Sequence, residues 1–150
     1  MKNKVVDIYE YLPILQELTQ QSKEVSLLIT GNSMSPFLVH QRDRIFFIKP
    51  NRPLQKGDMV FYRRANGQYV MHRIRRVCPD GTLDIVGDAQ TVIEHGVRPE
   101  QVFGLITKVR RKGKLLTAGS FWWEFFRHVW LNMIPLRMPL LRIYTRLKKI

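Results

Sequence analysis

The pattern of apolar and polar positions divides the chain into three regions. In the first, apolar side chains recur at helical spacing between residues 5 and 22. Pro13 lies in the middle of this stretch, either as a kink or as the first residue of a second helix. The pattern predicts a helical lead-in over residues 1–24 that is broken near Pro13.

The second region, residues 25–117, consists of short apolar or alternating runs separated by turn signals, a texture typical of antiparallel β-structure. The Asn66-Gly67 and Asp80-Gly81 dipeptides each lie between two runs and suit tight hairpins, because both tolerate a positive φ. We therefore predict a meander over residues 59–86. The runs with strand character are 25–29, 44–48, 59–62, 69–77, 83–86 and 102–109.

The third region, residues 118–150, is rich in aromatic and basic side chains. Its apolar positions predict amphipathic helix in two pieces, split around Pro135 to Pro139. A chain of 150 residues is long enough for one domain with a real core. We expect a mainly antiparallel β fold with helical segments at both ends.

The formal net charge of +13 predicts attraction to an acidic partner, and charge alone favours nucleic acid and anionic lipid equally. The excess is uneven. Beyond Val109 the chain carries ten Lys and Arg residues against one acid, Glu124. The basic character therefore belongs mainly to the C-terminal third.

The cysteine and histidine content of the sequence favours neither a disulfide nor a metal site. Cys78 is the only cysteine, so it can form neither an intramolecular disulfide nor a cysteine-rich metal site. His40, His95 and His128 lack metal-ligand spacing. We expect no metal and no cofactor.

Neither a targeting segment nor a spanning helix is predicted. Asp7 and Glu10 interrupt the apolar character of residues 1–11, so we expect no cleavable signal peptide. The most apolar stretch, residues 121–136, contains charged side chains and ends near a proline. It therefore does not predict a transmembrane helix.

A candidate nucleophile follows the first predicted strand. Ser33 comes two residues after Gly31, where the backbone can turn sharply and direct N–H groups outward. A serine in such a turn most often bonds only to its own backbone. To act as a nucleophile it needs a nearby base and donors for the developing oxyanion.

The residues Gly31, Ser33, Met34 and Pro36 resemble the nucleophile box of signal peptidase I and of the LexA-like self-cleaving repressors. Three further boxes occur in family order. Residues 56–60 resemble the Gly-Asp strand box, residues 70–74 the base-bearing strand and residues 87–88 the later Gly-Asp box. The resemblance covers residues 28–109 and implies a β-rich serine peptidase with Ser33 as the nucleophile.

The base position is His72, followed by Arg73, which resembles the histidine-type signal peptidases of archaea and the endoplasmic reticulum. The resemblance implies that His72 is the general base. Strand alternation places it on the face of Val70 and Ile74. Histidine titrates near neutrality and can accept a proton without the burial that a lysine base requires.

Two acids compete for a third catalytic role. The histidine-type family has an Asp in the later Gly-Asp box and a second Asp six residues on, which correspond here to Asp88 and Glu94. Either carboxylate would orient the imidazole and stabilise its charged form. Glu94 departs from the family pattern, and the choice between the two stays open.

The support for the oxyanion also departs from the family. No serine or threonine stands two residues before Ser33, and the pair Arg42-Asp43 replaces the usual Gly-Asp. The backbone N–H of Ser33 is therefore the expected oxyanion donor, with Thr30 as a weaker candidate. The remaining members of the expected nucleophile loop are Gly31, Asn32 and Met34.

The tail combines interfacial aromatic residues, Trp122, Trp123, Trp130 and Tyr144, with interspersed arginines and lysines. This combination predicts peripheral attachment to an anionic membrane surface, on the cytoplasmic side. The alternative is that the tail packs against the protein's own β core or against a partner. We do not expect nucleic acid as a partner.

The resemblance to signal peptidase I implies a serine endopeptidase that removes a leader or signal peptide from an exported or modified peptide. The peptide or preprotein substrate would pair in extended form with a strand edge. One alternative is a non-catalytic basic module that binds membrane or nucleic acid. Another is a LexA-like self-cleaving regulator, although the lysine base and a DNA-binding helix-turn-helix are missing.

Overall fold

The computed structural model describes residues 8–148, and its strands form one eight-stranded antiparallel sheet. The order along the sheet is β1-β2-β7-β3-β4-β5-β6, and β8 pairs with β7. The mainly β prediction is confirmed. The strands are β1 Val25–Leu28, β2 Arg44–Ile48, β3 Met59–Arg63, β4 Tyr69–Val77, β5 Leu83–Val86, β6 Glu94–Val97, β7 Val102–Arg111 and β8 Lys114–Thr117.

The predicted meander is present as β3-β4-β5, with both hairpins at the predicted dipeptides. Gly67 and Gly81 have φ of 90° and 88°, values that cost glycine little. In each turn the side chain just before the glycine accepts a hydrogen bond from a backbone N–H two residues further on. Asn66 accepts from Gln68, and Asp80 accepts from Thr82. Local turn chemistry therefore determines this part of the fold.

Two strands, β6 and β8, were not predicted. β6 holds the exposed His95 and a glycine with positive φ, so its sequence lacks an apolar alternation. β8 follows a tight turn at Lys112 and Gly113, both at positive φ, and its exposed residues hide the strand pattern. Each pairs with a strand that is close in sequence, β6 with β5 and β8 with β7, but neither segment has the apolar periodicity of a strand.

The sheet carries a core on each face. The first core includes Phe37, Phe47, Phe61 and Phe103, and the second includes Val60, Tyr62, Leu83 and Ile85. The strand β4 contributes to both. Tyr69 and Met71 pack against the first core, whereas Val70 and Ile74 belong to the second. The predicted alternation of β4 is therefore confirmed. His72 shares the side of Val70 and Ile74 and is buried.

Helix α1, Ile8–Gln20, runs through Pro13 without a break, so the predicted interruption is wrong. The proline lies on the exposed side of the helix, while neighbouring Leu12 is buried in the first core. Packing of the apolar face therefore outweighs the hydrogen bond that proline cannot make. Residues 1–7 of the predicted lead-in lie outside the described residues.

The tail is helical in two pieces, as predicted, but they divide at Met133, and the second piece runs through Pro139. The first begins as α2, Phe121–Glu124, widens to a π-helix over Phe125–Val129 and tightens to a 3-10 helix over Trp130–Asn132. A 3-10 turn at Ile134–Leu136 then leads into α3, Arg137–Lys148.

The first piece of the tail packs on the protein's own sheet. Trp123, Phe126 and Trp130 are buried in the first core, where the ring centres of Phe126 and Phe37 lie 4.8 Å apart. For these three residues the structure therefore agrees with the alternative prediction, in which the tail packs against the protein's own β core. Across residues 8–148, no helix is long and apolar enough to cross a membrane.

Candidate active site

The nucleophile turn, residues 29–43, connects β1 to β2 and is held by hydrogen bonds within it. Gly31 has φ of 82° and adds no side chain, which allows the reversal that the sequence predicts. Its N–H donates to Nδ1 of His40 at 2.7 Å. Met34 is buried in the first core, and its packing there fixes the position of the turn. Ser33 is left half-buried at the surface of a cavity.

Asp43 braces the far end of this turn. Its buried carboxylate accepts the backbone N–H of Val39 at 2.8 Å and that of Lys112 at 3.0 Å, and Arg42 pairs with it at 2.7 Å. Burial alone would raise the pKa of Asp43, but these donors outweigh it and hold the pKa below its ordinary value. The Arg42-Asp43 pair therefore supports the nucleophile turn structurally.

Ser33 and His72 line the same cavity, which has a volume of about 320 Å³. The structure therefore brings together the two residues that the resemblance implies as nucleophile and base. Every other predicted member of the nucleophile loop also lines the cavity, namely Thr30, Gly31, Asn32 and Met34.

Two free strand edges border this cavity. Within residues 8–148, β1 is the terminal strand of the sheet and pairs only with β2. In β4, residues 69–72 pair with β3 but not with β5, because the pairing with β5 begins at Arg73. Residues 27–30 and 69–72 both line the cavity. Unpaired backbone groups on each side can pair with an extended peptide.

The electrostatic environment keeps His72 neutral. Burial, followed by the nearby positive charge of Arg64, lowers the pKa of His72 to about 4, whereas Glu94 and then Asp88 act in the opposite direction. At neutral pH the imidazole is therefore unprotonated and able to accept a proton.

The two candidate acids have other partners. Glu94, the first residue of β6, accepts Tyr62 Oη at 2.7 Å and pairs with Arg64 at 2.8 Å. Asp88 is fully buried and binds Arg73 through both oxygens, at 2.9 and 3.0 Å. Within residues 8–148, no hydrogen bond joins either carboxylate to His72. Their influence on the imidazole acts through space.

Burial opposes ionisation of Glu94, but the hydrogen bonds from Arg64 and Tyr62 outweigh it and lower the pKa of Glu94. Burial and the hydrogen bond to Glu94 raise the pKa of Tyr62. Glu94 is therefore ionised and Tyr62 neutral at neutral pH. A carboxylate, a guanidinium and a phenol form one connected group beside His72.

A second cavity, of about 570 Å³, also has His72 in its wall. Arg64 and Gln90 line both cavities, and Met138 of α3 lines the second. Sequence reasoning missed Arg64, Gln90 and the role of His40. Arg64 is one of many basic residues, and no sequence signal distinguishes it. Gln90 follows the Gly-Asp box closely, which is a usable but weak signal.

The low pKa of His72 predicts activity that persists into acid. With a pKa of about 4, roughly nine-tenths of the imidazole is neutral at pH 5, against about 3% for an ordinary histidine. If Ser33 is a nucleophile and His72 its base, the rate of Ser33 acylation should stay level from pH 8 to about 5 and fall only near pH 4. The measurement is acylation by an activated peptide ester between pH 4 and pH 8.

Replacing Arg64 tests whether its positive charge contributes to the low pKa of His72. Arg64→Gln removes a positive charge near His72 and frees Glu94 to favour the imidazolium, so the acid limb should move to higher pH. Arg63→Gln, at an exposed neighbour whose guanidinium lies 5.2 Å from the Tyr69 ring centre, is the matched control and should leave the limb in place. An acid limb above pH 6 in the unsubstituted protein would contradict this account of His72.

Comparison with protein families matches residues 2–109 to the model described as Peptidase S24-like. No match was found to a curated protein or to a solved structure. The matched residues contain the nucleophile turn, β4 and the loop with Asp88, and end within β7. Because the match covers well over half of the chain and agrees with the β-rich fold, this chain belongs to the Peptidase S24-like family, within the LexA and signal peptidase-like superfamily.

Proposed function

We propose that this protein is a serine endopeptidase in which Ser33 is the nucleophile and His72 the general base. The observation that carries the proposal is the cavity shared by a half-buried serine and an imidazole kept neutral by its surroundings. Membership of a peptidase family supports the same chemistry.

The proposed reaction proceeds by acyl transfer. As Oγ of Ser33 bonds to the scissile carbonyl carbon, the imidazole of His72 takes its proton, and the carbonyl oxygen becomes an oxyanion. Collapse breaks the C–N bond, and the imidazolium gives the proton to the leaving amine. Water then hydrolyses the acyl-enzyme by the same route. The backbone N–H of Ser33 is the proposed oxyanion donor.

The acids act electrostatically in this proposal. Glu94 and Asp88 are engaged by Arg64 and Arg73, so the reacting groups are a Ser33–His72 dyad. Both carboxylates favour the imidazolium through space, and Glu94 has the larger influence. This arrangement stabilises the positive charge that forms on His72 during the reaction.

The proposed substrate is an extended peptide, specifically the leader or signal segment of an exported or modified peptide. The free edges of β1 and β4 supply backbone pairing on both sides of the cavity. Apolar side chains form a large part of the cavity lining and can accept an apolar substrate side chain near the scissile bond, among them Leu12, Leu27, Ile29, Ile45, Phe61 and Met71.

Acylation tests the proposal without knowledge of the natural substrate. A panel of acetylated tripeptide p-nitrophenyl esters should acylate the protein, and peptide mapping should place the added mass on Ser33. Nitrophenolate release gives the rate. Acylation elsewhere, or none with any ester, would contradict the assignment of Ser33.

Self-cleavage is the second candidate, because the LexA-like members of the superfamily act on their own chains. Incubation of the purified protein followed by intact-mass measurement separates the two functions. Fragments of this chain that form at a rate independent of protein concentration would favour self-cleavage. An intact chain that cleaves added peptides would favour the endopeptidase.

We further propose that the tail binds an anionic membrane surface. Phe121 and Trp122 are exposed at the start of α2, and Ile143 and Leu147 are exposed on α3. Tyr144 of α3 is close enough to Arg111 to act weakly on the pKa of that guanidinium, which burial lowers. The Arg111 guanidinium also lies 5.4 Å from the Trp122 ring centre. The two helices thus present apolar and basic side chains together, as an interfacial surface requires.

Flotation with liposomes tests this surface. The protein should float with vesicles that contain phosphatidylglycerol and much less with pure phosphatidylcholine, because basic residues add attraction to anionic lipid. Leu147→Glu, at a residue 65% exposed, should reduce binding about tenfold. Val77→Glu, which places the same charge on an exposed β4 residue, should have little effect. Equal binding by the two variants would contradict a role for α3.

A further inference from the structure

The loop formed by residues 87–90, here called the site loop, lies directly against the nucleophile turn. The N–H of Ala89 donates to the carbonyl oxygen of Ser33 at 2.9 Å. Gly87 approaches the same oxygen so closely that an added Cβ would stand 2.6 Å from it. The position of the site loop therefore sets the position of Ser33.

The carbonyl groups of the site loop are bound by the tail. Nε1 of Trp130 donates to the oxygen of Asp88 at 2.7 Å. One terminal nitrogen of Arg137 donates to the oxygen of Gly87 at 2.9 Å and to that of Gln90 at 2.8 Å. Three of the four loop carbonyls thus have donors from residues that lie beyond the family match.

Arg137 is an unusual residue to bury, because a guanidinium removed from water is costly unless its donors are used. It is fully buried, and its second terminal nitrogen donates to the oxygen of Trp130 at 3.2 Å. Its Nε lacks a hydrogen-bond partner among the described residues. Both terminal nitrogens of Arg137 are therefore used, one by the site loop and the other by the carbonyl oxygen of Trp130.

The site loop is also tied to the strand that carries the base. Arg73, next to His72 on β4, binds the Asp88 carboxylate and donates to the oxygen of Gly57 at 3.0 Å. The loop thus connects β4, the nucleophile turn and the tail. Met138, the residue after Arg137, lines the second cavity beside His72.

We infer that the tail completes the active site, with Trp130 and Arg137 as positioning residues that hold Ser33 through the site loop. The role in acylation rests on the proposed function, whereas the coupling of the tail to the loop does not. The tail thus acts in the site as well as at the proposed membrane surface.

The test compares two tryptophans of the tail. Trp130→Phe removes one N–H donor to the loop and keeps most of the packing. Trp123→Phe removes a similar amount of apolar contact from a residue equally buried in the same core, without any hydrogen bond to the loop. Amide exchange by NMR should show protection of Ala89 reduced about tenfold in Trp130→Phe, relative to Trp123→Phe.

Acylation kinetics give the second readout. In Trp130→Phe the maximal rate of Ser33 acylation should fall about tenfold while the half-saturating ester concentration stays the same, because the peptide-binding edges are intact. Arg137→Lys, which keeps the charge but cannot span the same carbonyls, should show the same pattern. It also serves as the second variant if Trp130→Phe does not fold.

Equal Ala89 protection and equal acylation in Trp130→Phe and Trp123→Phe would overturn the inference, since the tail would then serve stability alone. If the unsubstituted protein is not acylated, the proposed function fails, and the exchange measurement still decides whether the tail holds the loop. Loss of protection without loss of acylation would overturn the positioning role.

Discussion

Replacing Ser33 by alanine should abolish acylation and peptide hydrolysis, and replacing His72 by alanine should lower both by about 10²–10⁴-fold. Without the Oγ there is no group to carry the acyl chain. Without the imidazole, water must take the proton from a poorly acidic hydroxyl. The two losses should not add, because both substitutions disable the same step. Nitrophenolate release and the mass of the acylated protein measure them.

Matched substitutions separate this chemistry from damage to the fold. Ser35→Ala changes a serine two residues away that does not line the cavity, and His95→Ala changes an exposed histidine of β6 that pairs with Asp84 at 2.8 Å. Both should retain acylation within about twofold, as expected for changes outside the site. Hydrolysis that survives in both Ser33→Ala and His72→Ala would show that the proposed dyad is wrong.

The environment of His72 also disfavours the proton transfer that the proposed reaction requires. A base with a pKa of about 4 is neutral across the physiological range, but it accepts a proton less readily than one matched to neutral pH. The charges of Glu94 and Asp88 partly offset this by favouring the imidazolium. Closure of the cavity by a bound peptide would strengthen their influence, since water would then screen it less.

The parts of the fold that local sequence determines were predictable. Strand alternation in β4 placed His72 correctly, and the two glycine hairpins defined the meander because each needs only a positive φ at one position. The glycine of the nucleophile turn is a third case. At all of these sites the deciding interactions lie within a few residues along the chain.

The interactions that decide the site itself are long-range, and sequence reasoning did not reach them. Glu94 pairs with Arg64 across 30 positions, and Asp88 binds Arg73 across 15. Nothing in the residues near Arg137 shows that it meets a loop 47 and 50 positions earlier. The same limit explains why the sequence left open whether the tail attaches to a membrane or packs against the β core, where its first helical piece lies.

Asp88→Asn should destabilise the protein by about 3–5 kcal/mol, a large fraction of the stability of an ordinary domain. Asp88 and Arg73 are 0% and 1% exposed, and the carboxylate binds the guanidinium through both oxygens. Asparagine keeps the shape and one acceptor oxygen but leaves the Arg73 charge buried without a counterion. Urea unfolding at pH 7 measures the difference in the free energy of unfolding, when both proteins are fitted with the same dependence on urea concentration.

Asp58→Asn is the matched control, because Asp58 also binds an arginine through both oxygens, at 2.8 and 3.0 Å. Its partner Arg52 is 39% exposed, so water can replace the lost carboxylate and the loss should be about 1 kcal/mol. Equal losses in the two variants would contradict the burial argument. A well-folded Asp88→Asn protein of unchanged stability would show that the site loop is held by its backbone contacts to Trp130 and Arg137 and not by the buried ion pair.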